Sequence, residues 1–227
     1  MDTSHRARND ARSHRRVAGA VSIGLVALAA PAAIAASAEG QTAAPAPAPK
    51  LRVAARHHVL YGSKAPVKGS LSTGAPNRSV VVQVASGHRW KTVARTHTRA
   101  GGRFTTKWRG TRLGRYRMRV VAPGSGAPTG TVRGKVVVYR TASASWYGPG
   151  LYGNKLACGG TLTPGTVGVA NKTLPCGTRV TLRYRGHDAT VPVVDRGPYA
   201  AGRVYDLTAA TKHKLHFGST GMVWSSK

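Results

Sequence analysis

The sequence predicts an all-β protein whose folded part divides in two: a β-sandwich over residues 51–140 and a second β domain over 141–227. Three observations carry that expectation. Through 51–140, short runs with alternating apolar and polar residues recur about every 8–12 residues between Gly, Pro and Asn turns. In the second domain, residues 179–184 and 189–194 flank the turn Arg185-Gly186-His187-Asp188 in a hairpin-like pattern. Only residues 207–215 read as a helix, with Gly218 as its stop. Length and composition agree. The 227 residues correspond to one or two domains at about 150 residues each. A 41% hydrophobic fraction supplies real cores and excludes a wholly disordered polycation.

The N-terminus reads as an export signal over residues 1–38. Arg6, Arg8, Arg12, Arg15 and Arg16 precede an apolar run over 17–30, and Ala36-Ser37-Ala38 offers a small-residue cleavage site. The alternative is an uncleaved membrane anchor. The apolar run is short for a bilayer span and is broken by Gly24 and Pro31, so no stable membrane insertion is expected after cleavage. Residues 39–50, EGQTAAPAPAPK, form a semi-extended Ala/Pro linker.

Charge narrows the chemistry. There are 35 Lys and Arg against six acids, for a formal net charge of +29. The acids are Asp2, Asp10, Glu39, Asp188, Asp195 and Asp206. This excludes a carboxylate-rich calcium or magnesium site and any catalytic Glu in the folded part. Cleavage after Ala38 leaves 30 basic and four acidic residues. Such basicity usually points to nucleic acid, but an exported protein meets other polyanions. The expected partner is peptidoglycan or another anionic cell-wall polymer, not nucleic acid. The expected location is outside the cytoplasm, secreted or at the cell wall.

In the sandwich, residues 80–84 read as a short buried strand. Residues 90–96 and 116–121 alternate, Gly101-Gly102 turns the chain into 103–108, and 135–139 close the domain. The strand order resembles the bacterial immunoglobulin-like modules found before cell-wall domains. Trp90 and Trp108 read as core. The exposed faces carry Arg95, Arg99, Arg103, Lys107, Arg109, Arg112, Arg115, Arg117 and Arg119. They are either a docking face for an anionic polymer or a solvated surface.

Cys158 and Cys176 are the only cysteines. An even pair in an exported chain reads as a disulfide, closing a loop that contributes about 3 kcal/mol. Two free buried thiols are the alternative. Two cysteines alone do not make a metal site, and His213-x-x-His216 lacks a third ligand. No cofactor and no metal are expected.

Four blocks occur in order in the second domain: Ala144-Ser145-Trp146-Tyr147-Gly148, then Thr173-Leu174-Pro175-Cys176-Gly177-Thr178, then Asp195-Arg196-Gly197-Pro198-Tyr199, then Tyr205-Asp206-Leu207-Thr208. Together they resemble the RlpA-like double-psi β-barrel, which also occurs in expansins and some lytic transglycosylases. The resemblance implies a six-stranded barrel with a short helix and a glycan-binding cleft.

Cleaving a glycosidic bond needs a proton donor, and hydrolysis usually needs a second carboxylate. In lytic transglycosylation the sugar's own C6 hydroxyl attacks, so one acid that donates and then accepts can suffice. A chain this poor in carboxylates suits that reaction. Asp195, at the end of an apolar strand, is the expected acid/base. Its alternatives are an Asx-turn and an ion pair with Arg196. Asp206, eleven residues on as in the expansin-type cleft, is the second catalytic candidate, with helix N-cap as its alternative. Asp188 reads as structural. Tyr147 and Tyr199 are candidates for stacking on sugar rings, and Asn171 and Arg196 for polar contacts to substrate. The resemblance also exposes two departures. The transglycosylases carry a Glu where Gly160 stands and a His where Asn171 stands. A non-catalytic, expansin-like wall-glycan binding or loosening module is therefore the second functional expectation.

Overall fold

A computed structural model describes residues 47–124 and 126–227. The expected export signal and residues 39–46 of the expected linker lie outside them, and residues 47–50 have no regular structure. Among the described residues, no helix is long and apolar enough to cross a membrane.

The first nine strands are β1 (Leu51–Ala55), β2 (His58–Leu60), β3 (Lys64–Leu71), β4 (Ser79–Ser86), β5 (Arg89–His97), β6 (Arg103–Arg109), β7 (Gly114–Tyr116), β8 (Met118–Val121) and β9 (Thr129–Thr131). Seven of them build a three-stranded sheet, β1-β3-β6, and a four-stranded sheet, β5-β4-β8-β9, with antiparallel neighbours. Both contribute to one apolar core around Val67, Val80, Val82, Phe104, Met118 and Val120.

Two sandwich expectations need correction. The run over 80–84 is not buried throughout: Val80, Val82 and Val84 face the core, while Val81 and Gln83 are half-buried on the outer face. Period-two geometry imposes this on any strand with one core face. Trp108 is core, but Trp90 is only half-buried. Its ring lies under the guanidinium groups of Arg119 at 4.3 Å and Arg117 at 5.8 Å.

Strand β10 (Val136–Tyr147) crosses the expected boundary at residue 140 without interruption. Its run VVVYRTASASWY contains no Gly or Pro to break it. Its first residues pair in parallel with β2 and antiparallel with β7. Its remainder enters a barrel completed by β11 (Val169–Ala170), β12 (Arg179–Tyr184), β13 (His187–Asp195), β14 (Tyr205–Thr208) and β15 (Gly221–Ser225). The barrel order is β14-β11-β13-β12-β15-β10, and β10 pairs back on β14 in parallel to close the ring of six strands. Val169, Leu182, Val193, Tyr205, Leu207 and Val223 fill it.

The helix α1 (Ala209–Leu215) follows β14. It starts two residues later than the sequence suggests and ends on His216 in the left-handed conformation, φ 50°, not on Gly218. Its N-cap is Thr208, whose hydroxyl accepts from the Thr211 backbone N–H. The Thr208 and Thr211 hydroxyls also donate to the Gly168 carbonyl, at 3.1 and 2.8 Å. Helix start and β11 are thereby locked together. Gly168 has no room for a side chain, since a Cβ there would press into the Val194 isopropyl group, 2.6 Å from Cγ1. Gly168→Ala is expected to destabilise the fold by about 1–3 kcal/mol through overpacking, read by denaturant unfolding.

Asp188 is structural, though in strand rather than turn. It pairs with Arg183 at 2.6 Å and His58 at 3.6 Å, and the buried Tyr139 hydroxyl donates to it at 3.4 Å. One carboxylate thus joins β2 and β10 to the β12–β13 hairpin.

Candidate active site

Residues opposite one another on neighbouring strands share a face. Ala170 of β11 is opposite Asp195 of β13 on one side and Asp206 of β14 on the other. Asp206 is in turn opposite Ser145 of β10. Ser145, Asp206, Ala170 and Asp195 therefore form one row across four strands. The two aspartates are two strand spacings apart, about 9–10 Å between backbones.

The row depends on a β-bulge. Val169 is opposite Val193 and Leu207, all three in the barrel core. Strict alternation along β13 would turn Asp195 to the same side as Val193. The register shifts between Val169 and Ala170, so that Val194 is left without an opposite number and Asp195 faces outward. A bulge re-aims a side chain in this way. Sequence periodicity does not reveal the shift.

Asp195 is held by backbone. Its Oδ1 accepts from the N–H of Ala157 and of Arg196, both at 2.9 Å. The Arg196 contact is the local turn offered as an alternative to function, and the Ala157 contact comes from a distant loop. That loop is fixed by the disulfide Cys158–Cys176, with Cα atoms 5.5 Å apart. Cys158 N–H donates to the Val194 carbonyl at 3.2 Å and Gly177 N–H to that of Val193 at 2.8 Å. The disulfide therefore clamps two loops on either side of the bulge that aims Asp195. Arg196 does not pair with Asp195. Its guanidinium donates to the carbonyls of Asn171 and Leu174, at 3.3 and 3.1 Å, and to Cys176 Sγ at 3.1 Å.

Asp206 is in a different state. It is half-buried, and its Oδ1 is fully enclosed with no hydrogen-bond partner among the described residues. Burial raises its pKa above the ordinary aspartate value, the nearby Asp195 charge adds to the rise, and Ser145 and Arg203 oppose it. Since Thr208 caps α1, Asp206 is not needed as the cap. The Tyr147 hydroxyl is likewise enclosed and unpartnered. Its pKa is raised by burial first, then by the Asp195 and Asp206 carboxylates, so the hydroxyl keeps its proton. Ser145 and Tyr147 stand two apart on β10 and so share a face. That i, i+2 spacing is the signal in the sequence for both polar groups; the sugar-stacking reading of Tyr147 overlooked the hydroxyl.

The other candidates fall elsewhere. Asn171 is buried, and its side chain serves its own loop: Oδ1 accepts from the N–H of Thr173 and Leu174, at 3.1 and 2.8 Å, and Nδ2 donates to the Val204 carbonyl at 3.0 Å. Both polar ends of the side chain are thus engaged by backbone groups. Arg196 belongs to the same loop framework. Asn171→Ala is expected to cost about 1 kcal/mol, because the part-buried N–H groups of Thr173 and Leu174 lose their acceptor, measured as a fall in denaturation midpoint. Tyr199 is 82% exposed and Tyr147 is half-buried, so they do not form equivalent platforms. Gly160 has φ +82° and open space around it. His216 stacks on His187 at 4.1 Å, and no cluster of three metal-ligating side chains occurs among the described residues. Cavities of about 330 and 600 Å³ are lined by residues other than the two aspartates. In the aspartate row Ala170 is buried, and Ser145, Asp195 and Asp206 are half-buried.

The comparisons agree with the barrel. A family model described as lytic transglycolase matches residues 139–224. A probable endolytic peptidoglycan transglycosylase RlpA from Synechocystis is 41% identical over 81 residues, covering 35% of this chain and 25% of the relative. The endolytic peptidoglycan transglycosylase RlpA of Campylobacter jejuni is 37% identical over 101 residues, covering 40% of this chain and 37% of the relative. An Aquifex aeolicus protein named as a probable member of the same group is 37% identical over 87 residues, covering 37% and 38%. The chain thus spans between a quarter and about two fifths of the length of these relatives. With the closed six-stranded ring and the row of polar residues on its face, residues 139–224 are an RlpA-like double-psi β-barrel domain.

Proposed function

We propose that the barrel cleaves the glycan strands of peptidoglycan by lytic transglycosylation, outside the cytoplasm, with Asp206 as the proton carrier. The observation that carries this reading is the row itself: two half-buried carboxylates in one register, with the Tyr147 hydroxyl enclosed near them. The sequence alone favours Asp195 for the proton. Burial and the unpartnered oxygen favour Asp206 instead, while two backbone donors on Oδ1 hold the Asp195 carboxylate in place.

In the proposed reaction Asp206 gives its proton to the glycosidic oxygen. The C1–O bond breaks and its electron pair leaves with that oxygen. Positive charge develops at the ring, within the field of the Asp195 carboxylate. The C6 hydroxyl of the same sugar then bonds to C1, and its proton returns to Asp206. No water is consumed, and the product is a 1,6-anhydro sugar.

Two positions favour a second reading, a wall-binding module without cleavage. Gly160 presents no side chain where the resembling enzymes carry a glutamate, and the Asn171 side chain is turned inward where they carry a histidine. Incubation of the purified protein with sacculi separates the two. Release of anhydro-ended fragments, one water lighter than hydrolysis products by mass, supports the enzyme. Sedimentation with sacculi and no release supports the binder.

A further inference from the structure

Residues 51–140 contain 19 lysines and arginines and no aspartate or glutamate. The only ion pairs among the described residues are those of His58 and Arg183 with Asp188, so none of the 19 is neutralised by an ion pair within the described protein.

Folding gathers part of this charge around a cavity of about 330 Å³ in the sandwich. Val84 and Trp108 provide apolar walls, and Tyr116 stands edge-on to Trp108 at 6.3 Å. Lys91, Arg112 and Arg115 line it and are exposed. The side chains of Lys91 and Arg112 make no hydrogen bond among the described residues, and Arg115 makes one long contact, 3.4 Å to Thr190 Oγ1. Ala85 lines the same cavity and is the cross-strand partner of Trp90, the indole covered by Arg117 and Arg119. Cavity and cation–aromatic stack thus adjoin through one strand pair.

We infer that this cavity and its rim bind a phosphodiester polymer of polyols, a wall polyanion distinct from the barrel's glycan. Three features select that chemistry. Cations without any interspersed acid match a chain that carries one negative charge per repeat and no positive charge; peptidoglycan stem peptides mix amines with their carboxylates. Arginine forks fit phosphate oxygens in pairs. Apolar walls between them accept the C–H surface of a polyol or sugar repeat, and the volume, near the lower end for small-molecule pockets, takes a repeat unit rather than a folded partner. The site tethers the barrel to the wall and does not depend on whether the barrel cleaves.

Calorimetric titration of the full chain tests this, using a soluble polyol-phosphate polymer, soluble peptidoglycan fragments and duplex DNA over a range of salt. The polymer is expected to bind with a steep salt dependence. Removing three rim cations together, Lys91→Ala, Arg112→Ala and Arg115→Ala, should weaken it about ten- to hundredfold and lower the log–log salt slope by about 2. The triple change Lys64→Ala, Lys68→Ala and Arg133→Ala removes equal charge from exposed positions outside the cavity and should cost several-fold less. Asp206→Asn should leave polymer affinity unchanged, which keeps this result separate from the fate of the barrel reading. Equal losses in the two triple variants, tighter binding of DNA at the same salt, or no polymer binding would each overturn the inference.

Discussion

Asp206→Asn is expected to reduce release of anhydro-ended fragments by about 10²–10⁴-fold, the usual worth of a positioned general acid. Binding to sacculi should persist, because the amide keeps the shape and removes only the proton. A second consequence has the opposite sign. The folded-state pKa of Asp206 lies above its value in the unfolded chain. Between those two values the folded state holds more protons, so stability falls as pH rises through that window. Above it the half-buried charge opposes folding. Asp206→Asn removes that charge, so the variant should melt higher than the wild type at pH 7, and the gap should close as pH falls toward 3.8, the ordinary aspartate value. A residue kept only to cap a helix would show the reverse, a loss of stability at pH 7. The pH profile of cleavage should show the same group, with activity declining as pH rises through the raised Asp206 pKa.

Replacing both cysteines, Cys158→Ser with Cys176→Ser, is expected to cost about 3 kcal/mol by the entropy of a loop of 18 residues. For a protein of this length that is a fall of about 6–12 °C in melting temperature. The catalytic effect should exceed the stability effect. The disulfide fixes the loop from which Ala157 donates to Asp195 and Cys158 donates to Val194 beside the bulge. Releasing it lets the bulge relax and Asp195 wander. Assayed well below the melting range, the variant should therefore lose kcat with little change in KM. Unchanged kcat in the fully folded variant would leave the disulfide a purely stabilising link.

The fold was legible because each signal is local. Alternation in 90–96, the Arg185-Gly186 turn and the four ordered blocks of 144–208 all depend on neighbours in sequence, and strand geometry follows from them. Three features were not legible for the same reason. The domain boundary vanished into β10, because nothing in VVVYRTASASWY records that one strand serves two sheets. The orientation of Asp195 depends on a bulge opposite Ala170, a property of two strands together. The hydrogen bonds of Asn171 and Arg196 to backbone were not legible because a polar side chain carries no mark of which backbone groups it will meet. The scarcity of acids made Asp195 and Asp206 candidates from sequence alone, and the strand register sets both opposite Ala170.

That scarcity also makes the central claim measurable. A chain with six Asp and Glu residues gives a carboxyl carbon NMR spectrum that can be followed residue by residue during a pH titration. The Asp206 carbon is expected to titrate above the ordinary aspartate value of 3.8 and to shift further down when Asp195 is replaced by asparagine and its charge is lost. An Asp206 carbon titrating at or below 3.8 would contradict the account, since Asp206 would then have no raised affinity for the proton it is proposed to carry.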